Sequence, residues 1–121
     1  AILTLEQVKE INNISKNTTE VIISIFAGRI ADTGVDPNKL MLDSVNLCKS
    51  KDKIKILWAS TRELLNIFQA EKIGCHIITV PNEILKKTSY IGENLDELSL
   101  ETVKMFLADA TNAGFKIKIN K

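Results

Sequence analysis

The chain has 121 residues, 45% of them hydrophobic, and its 16 basic and 15 acidic side chains leave a net charge of +1. That length and apolar content suit one packed domain and not a disordered chain. The small, evenly spread charge gives neither the basic face that nucleic-acid binding needs nor a basic membrane-surface helix. No apolar run is long enough to cross a bilayer, and the opening AILTLEQ lacks the basic start of a signal peptide. Cys48 and Cys75, the two cysteines, have no metal-ligand spacing and read as reduced thiols of a cytoplasmic protein.

In chain order, AIL reads as the tail of a strand. TLEQVKEINNI follows with Leu5, Val8 and Ile11 at helical spacing, and Thr4 with Gln7 forms a capping box at its start. EVIISIF is a continuous apolar run, the pattern of a parallel strand buried on both faces. The loop AGRIADTGVD leads to a helix over PNKLMLDSVNLCKS, with Asp36 as N-cap, Pro37 at its first position and Leu40, Met41, Val45 and Cys48 as its inward stripe. KIKILWAS is a strand. Ser60 and Glu63 read as a second capping box for the helix TRELLNIFQAEKI, which buries Leu64, Leu65, Ile67 and Phe68 and stops at Gly74. CHIITVP is a strand ended by Pro81, NEILKK a short helix, SYIGENLDE a loop, and SLETVKMFLADATNA a long helix stopped by Gly114. FKIKINK is a tail of alternating character.

Strand and helix alternate throughout, which implies right-handed crossovers and an α/β fold with a parallel sheet. Two architectures fit: an open doubly wound sheet, or part of a (β/α)8 barrel. In both, chemistry sits at the carboxyl ends of the strands, so Thr4, the segment Ser24 to Arg29, Ser60 and Thr79 share one rim. Arg29 beside Gly28 offers a planar fork for a phosphate or carboxylate with little steric cover. Ser60 at a helix start adds free amides, and the two together make a candidate anion site. Each residue also has a plain structural reading. Arg29 can pair with Asp32 or a helix end, Thr4 and Ser60 can simply cap helices, and Phe26 and Trp58 can simply pack. His76, inside an apolar strand, reads as a hydrogen-bonded core residue with no metal role, and Lys86 and Lys87 as a solvated helix face. There is no phosphate-binding glycine loop and no nucleophile elbow.

SIFAGRIAD, then ILWASTRE, then CHIITVP, resembles the transaldolase family, including its small-subunit members and the fructose-6-phosphate aldolases. The likeness runs from AILTLEQ through LETVKMFLADATNAGF, and GRI after Ser24-x-Phe26 with ASTRE one unit later is its most specific part. The resemblance implies a (β/α)8 barrel of which residues 1–121 form the C-terminal half: AIL ends the fifth strand, and VIISIF, KILWAS and HIITV are the sixth to eighth. It implies transfer of a dihydroxyacetone unit from a ketose phosphate such as fructose 6-phosphate to an aldehyde such as erythrose 4-phosphate. That reaction runs through a Schiff base on a lysine at the end of the fourth strand, with no cofactor and no metal. Arg29 and Ser60 resemble the phosphate-binding arginine and serine, Thr4 the hydroxyl near the Schiff-base centre, and Phe26 the aromatic beside the reacting carbons. Where the aldolases carry a tyrosine, phenylalanine cannot hold a proton, so Phe26 points to the transaldolase branch.

The fourth strand and its lysine are absent from this sequence. Lys53 and Lys55 enter a strand, Lys86 and Lys87 lie beyond Pro81, and Lys16 and Lys39 sit in a loop and at a helix start. The sequence therefore reads as a partial chain or one partner of a split barrel, expected to self-associate or to rearrange its ends because of open strand edges and an uncovered apolar face. The alternatives are an aldolase acting on fructose 6-phosphate alone, or a non-catalytic sugar-phosphate-binding half barrel.

Overall fold

A computed structural model of the chain describes residues 1–114, so the alternating tail FKIKINK lies outside the described residues. The elements in order are α1 (Leu5–Ile14), β1 (Val21–Phe26), α2 (Ala27–Asp32), α3 (Asn38–Leu47), β2 (Ile54–Ala59), α4 (Leu65–Ile73), β3 (Ile77–Ile78), α5 (Asn82–Leu85), a 3-10 turn (Lys86–Tyr90) and α6 (Leu95–Asn112). They divide into two compact units, Ala1–Thr88 and Ser89–Lys121.

In the first unit the three strands form a parallel sheet in the order β1-β2-β3. AIL joins its edge as expected: Ile2 bridges Ile25 in parallel, its amide donating to Ser24 O at 3.1 Å while Phe26 N donates to Ile2 O at 3.0 Å. Each strand thus lies beside the next one in sequence, with no reversal of strand order. The register pairs Val21 with Ile54, Ile23 with Ile56 and Ile25 with Trp58, which puts these alternate residues on one face. That face is the core: Ile23, Ile25, Ile54, Ile56 and Trp58 cluster with Val8 of α1, Met41 of α3, Cys48 and Ala70 of α4. The helices α1, α3 and α4 therefore share one side. A doubly wound sheet needs helices on both sides; sequential parallel strands with helices on one side are consistent with part of a (β/α)8 barrel.

The opposite face, Ile22, Ser24 and Phe26 of β1 with Lys55 and Leu57 of β2, is only half-buried, and Ile22 is 51% exposed. Burial on both faces, expected from the apolar run, is thus corrected to burial on one. The helix stripes were legible in part. On α3 Met41 and Cys48 are buried and Leu40 and Val45 pack against them. On α4 the expected stripe is wrong at two positions: Leu65 is 57% and Phe68 45% exposed, and Asn66 and Ala70 point inward instead. A small alanine and a hydrogen-bonding asparagine let α4 lie close to its loop, which turns the bulkier pair outward.

The helix ends show the same mixture. Thr4 Oγ1 accepts from Gln7 N at 3.3 Å while Gln7 Oε1 accepts from Thr4 N at 3.1 Å, the expected capping box. Asp36 Oδ1 accepts from Asn38 N at 2.9 Å at the start of α3, but the N-cap is Pro37, one residue later than expected, and it makes no side-chain cap bond. Gly74 ends α4 with φ +96°, a left-handed conformation in which a side chain would be strained. In the second unit α6 begins four residues before the expected Ser99, because Asn94 Oδ1 accepts from Asp96 N and Glu97 N and starts the helix there.

Candidate functional site

The carboxyl ends of the strands gather the residues singled out from the sequence. Phe26, half-buried, closes β1, and α2 starts at once behind it. This puts Arg29 on the first turn of a short helix at the rim, with its side chain exposed. Ser60 directly follows β2, whose last residue Ala59 pairs with Phe26. The bridge at Ile2 carries Thr4 to the same rim.

The first turn of α2 and the loop after β2 meet there through backbone. A Cβ placed on Gly28 would lie 1.7 Å from Ser60 O and 2.8 Å from Ser60 Oγ, so only glycine admits this approach. Ser60 itself has φ 60°, a left-handed conformation unique among the described non-glycine residues. Strain of this kind costs on the order of 1–3 kcal/mol and persists only where neighbours enforce it. The capping role read for Ser60 is therefore corrected. The serine does not cap α4, which begins at Leu65 without a side-chain cap. Asn66 does that work from inside the helix, its Oδ1 accepting from Arg62 N at 3.0 Å and Glu63 N at 2.9 Å. The signal was legible: an asparagine three residues past Glu63 competes for the same amides.

Further ties hold the loop after β2. Thr61, buried, donates from Oγ1 to Thr79 O at 2.6 Å at the end of β3. Asp32 accepts from Arg62 at 2.8 Å, joining the end of α2 to this loop. The carboxylate belongs to Arg62, which sets aside one of the plain readings of Arg29, a pairing with Asp32. Neither the Arg29 guanidinium nor the Ser60 hydroxyl bonds to another described residue.

The clefts are distributed unevenly. Ser60, Arg62, Thr79 and Pro81 line one of about 400 Å3. Arg29 lines another, of about 490 Å3, with Leu3, Thr33 and Val35. Arg29 on α2 and Ser60 on the loop that α2 touches thus open to separate clefts, and the cation sharing Ser60's cleft is Arg62, which the sequence does not single out. An arginine two residues after a strand-end serine was the signal for it. Thr4 is exposed at this rim with its hydroxyl engaged in the cap.

His76, expected in the core, is exposed, because β3, which it precedes, is the edge strand of the sheet. It is nonetheless hydrogen-bonded, Nδ1 accepting from Ile56 N at 3.0 Å. Among the described residues no group of three or more His, Cys, Asp or Glu side chains is placed to hold a metal ion. No described helix is long and apolar enough to cross a membrane.

The family model described as Transaldolase/Fructose-6-phosphate aldolase matches residues 1–119. The chain is similar to probable transaldolases from Thermoanaerobacter sp. (strain X514), 32% identical, Chelativorans sp. (strain BNC1), 38% identical, and Brucella ovis, 34% identical. Each match runs over 96 residues, 78% of this chain and 42% of the relative. The chain thus spans about two fifths of the length of these relatives.

Proposed function

This chain belongs to the transaldolase/fructose-6-phosphate aldolase family, and from that premise we propose that its rim holds the phosphate of a sugar phosphate during dihydroxyacetone transfer. The single observation supporting this is the seating of Gly28 against Ser60, which sets the helical turn that carries Arg29 beside the serine at the strand ends, although the two side chains open to separate clefts. Arg29 presents a planar fork of donors, Ser60 one hydroxyl donor, and Arg62 a second positive charge in the serine's cleft. Thr4 and Phe26 line the reacting end. A phenyl ring there excludes water but moves no proton, which favours transfer between sugar phosphates over the aldolase reaction.

On this reading residues 1–121 are the C-terminal half of a (β/α)8 barrel, and the Schiff-base lysine belongs to the half that this chain lacks. The attacking amine would add to the ketose carbonyl, lose water to form the imine, and release the aldose by retro-aldol cleavage of the C3–C4 bond, the C4 hydroxyl giving up its proton and the imine taking the electron pair as a three-carbon enamine. The aldehyde acceptor then takes up the remaining three-carbon unit, and hydrolysis returns the amine. This half contributes binding and orientation, with neither metal nor cofactor. The open sheet face with its exposed Ile22 supports self-association; a clean monomer in size-exclusion chromatography at high concentration counts against that. The free thiols Cys48 and Cys75 suit a cytoplasmic setting.

A non-catalytic sugar-phosphate-binding module is the second reading, favoured by the absence of lysine directly after any of the three described strands. Borohydride trapping with fructose 6-phosphate, read by mass spectrometry, separates the two. Binding without an adduct, weakened about tenfold or more in Arg29→Ala, is the expected result for this chain. An adduct on one of its lysines refutes the placement of the imine outside it. Undiminished binding in Arg29→Ala refutes the phosphate site.

A further inference from the structure

We propose that Asp32 is a positioning residue of the anion site, acting through Arg62; this rests on the phosphate-holding role proposed above. Taken alone, a carboxylate three residues from Arg29 is a cost, since it repels the anion the rim would hold. Its geometry shows what offsets that cost. Asp32 takes one Nη of Arg62 at 2.8 Å, which leaves most of the guanidinium's donors for the cleft shared with Ser60 and Thr79. The pair joins α2 to the loop after β2. Asp32 ends α2, the helix that carries Arg29, and Arg62 lies two residues past Ser60.

The site depends on such ties because its parts are weak alone. The helix α2 has six residues and no side-chain cap at its start, too short to be stable by itself. Ser60 sits in a left-handed conformation that the chain would otherwise leave. The Gly28–Ser60 contact sets how closely α2 approaches the loop after β2, and the Asp32–Arg62 pair ties the far end of α2 to the same loop. With side chains 50% and 55% exposed, the pair adds little to global stability. Its effect falls on where the two arginines and the serine stand.

The test is one of sign. Inorganic phosphate and fructose 6-phosphate are titrated into the full chain by NMR, with amide exchange read at residues 60–63. A bystander carboxylate predicts tighter phosphate binding in Asp32→Asn, because a negative charge is removed. A positioning carboxylate predicts the reverse: binding weaker by about three- to tenfold, faster exchange at 60–63, and recovery of most of the affinity in Asp32→Glu. Unchanged or tighter binding in Asp32→Asn overturns the inference, even where Arg29→Ala abolishes binding and so upholds the phosphate site. Failure of the native chain to bind either anion overturns the site and this inference together.

Discussion

At the amino end of the sheet Lys51 reaches across to the last turn of α1, donating to Asn12 O and, at 2.9 Å, to Ser15 O. Asn17 Oδ1 likewise accepts from Lys53 N at 3.2 Å, tying the start of β1 to that of β2. At the carboxyl end Arg29 reaches no described partner, Ser60 is strained, and α2 touches the loop after β2 through a glycine. The amino end also has the larger cleft, about 550 Å3, lined by Val45, Cys48, Lys51, Ile73 and His76 among others. Size alone does not choose a site, since a cleft lined by Lys39, Leu42, Gln69 and Lys72 is as large. Two polar groups of the amino-end cleft argue against it, Lys51 and His76 being already spent on backbone carbonyls and an amide, and its remaining cations, Lys49 and Lys55, lie at the end of the sheet away from the strained Ser60. A cation satisfied by the fold serves stability, whereas one left unsatisfied beside a strained residue is available to a ligand.

The most severe way to break this contrast is Gly28→Ala. The added methyl carbon would meet Ser60 O at 1.7 Å, and the obstacle is backbone, which cannot rotate aside. The helix and the loop must part, at a cost of about 3 kcal/mol or more. Urea unfolding should show that loss, and phosphate binding should fail with it. A chain that keeps its native stability after this change would mean that the two segments do not touch.

Next in size is Lys51→Met, which keeps the apolar stem and deletes the ammonium. Two carbonyls at the end of α1 lose a charged donor, so stability should fall by about 1.5–3 kcal/mol by urea unfolding. Phosphate binding should stay within twofold of the native value. A larger binding defect would mean that the two ends of the sheet are not separable in role.

The periodicity and the turn chemistry carried most of the fold. Alternating elements, the glycine stop at Gly74 and the Thr4–Gln7 box are local features, and local spacing reveals them. What stayed hidden depended on partners far apart in sequence. Whether Ile22 is covered depends on what lies across the sheet. Leu65 and Phe68 turn outward because Asn66, three and four residues beyond Glu63 and Arg62, takes their amides. The rim was legible as a set of residues on one edge, but not as pairs. Arg29 was placed there, yet the partnership of Asp32 with Arg62 spans thirty positions and leaves no mark in spacing. A residue's usual reading also misled: Ser60 before Glu63 looks like a cap, and its backbone conformation forbids it.

Thr4→Ala should cost about 1 kcal/mol through loss of the α1 cap. Thr4→Asn should restore that stability, since asparagine caps as well as threonine. If the hydroxyl also serves the rim, sugar-phosphate binding by the chain stays impaired in Thr4→Asn although the fold is repaired. Equal repair of both would leave Thr4 with a structural role alone.

The gentlest probe returns to the amino end through its thiols. Burial pushes the Cys75 thiol up to about 11 from 9.0, against a smaller opposing pull from its own backbone amide. Burial raises Cys48 as well, opposed by the charge of Lys51. Between pH 9 and about 11 the unfolded chain has released the Cys75 proton and the folded chain still holds it. Folding stability therefore holds up to about pH 9 and declines as pH rises through the folded value. At pH 8 iodoacetamide should modify native Cys75 about tenfold or more slowly than the urea-unfolded chain, after allowing for the greater nucleophilicity of a less acidic thiol. In Lys51→Met the Cys48 thiol loses its one favourable charge and should react more slowly still, while Cys75 is unchanged. Faster modification of Cys48 in that variant would instead report an opened amino end, and would show that Lys51 holds the cleft closed as well as capping α1.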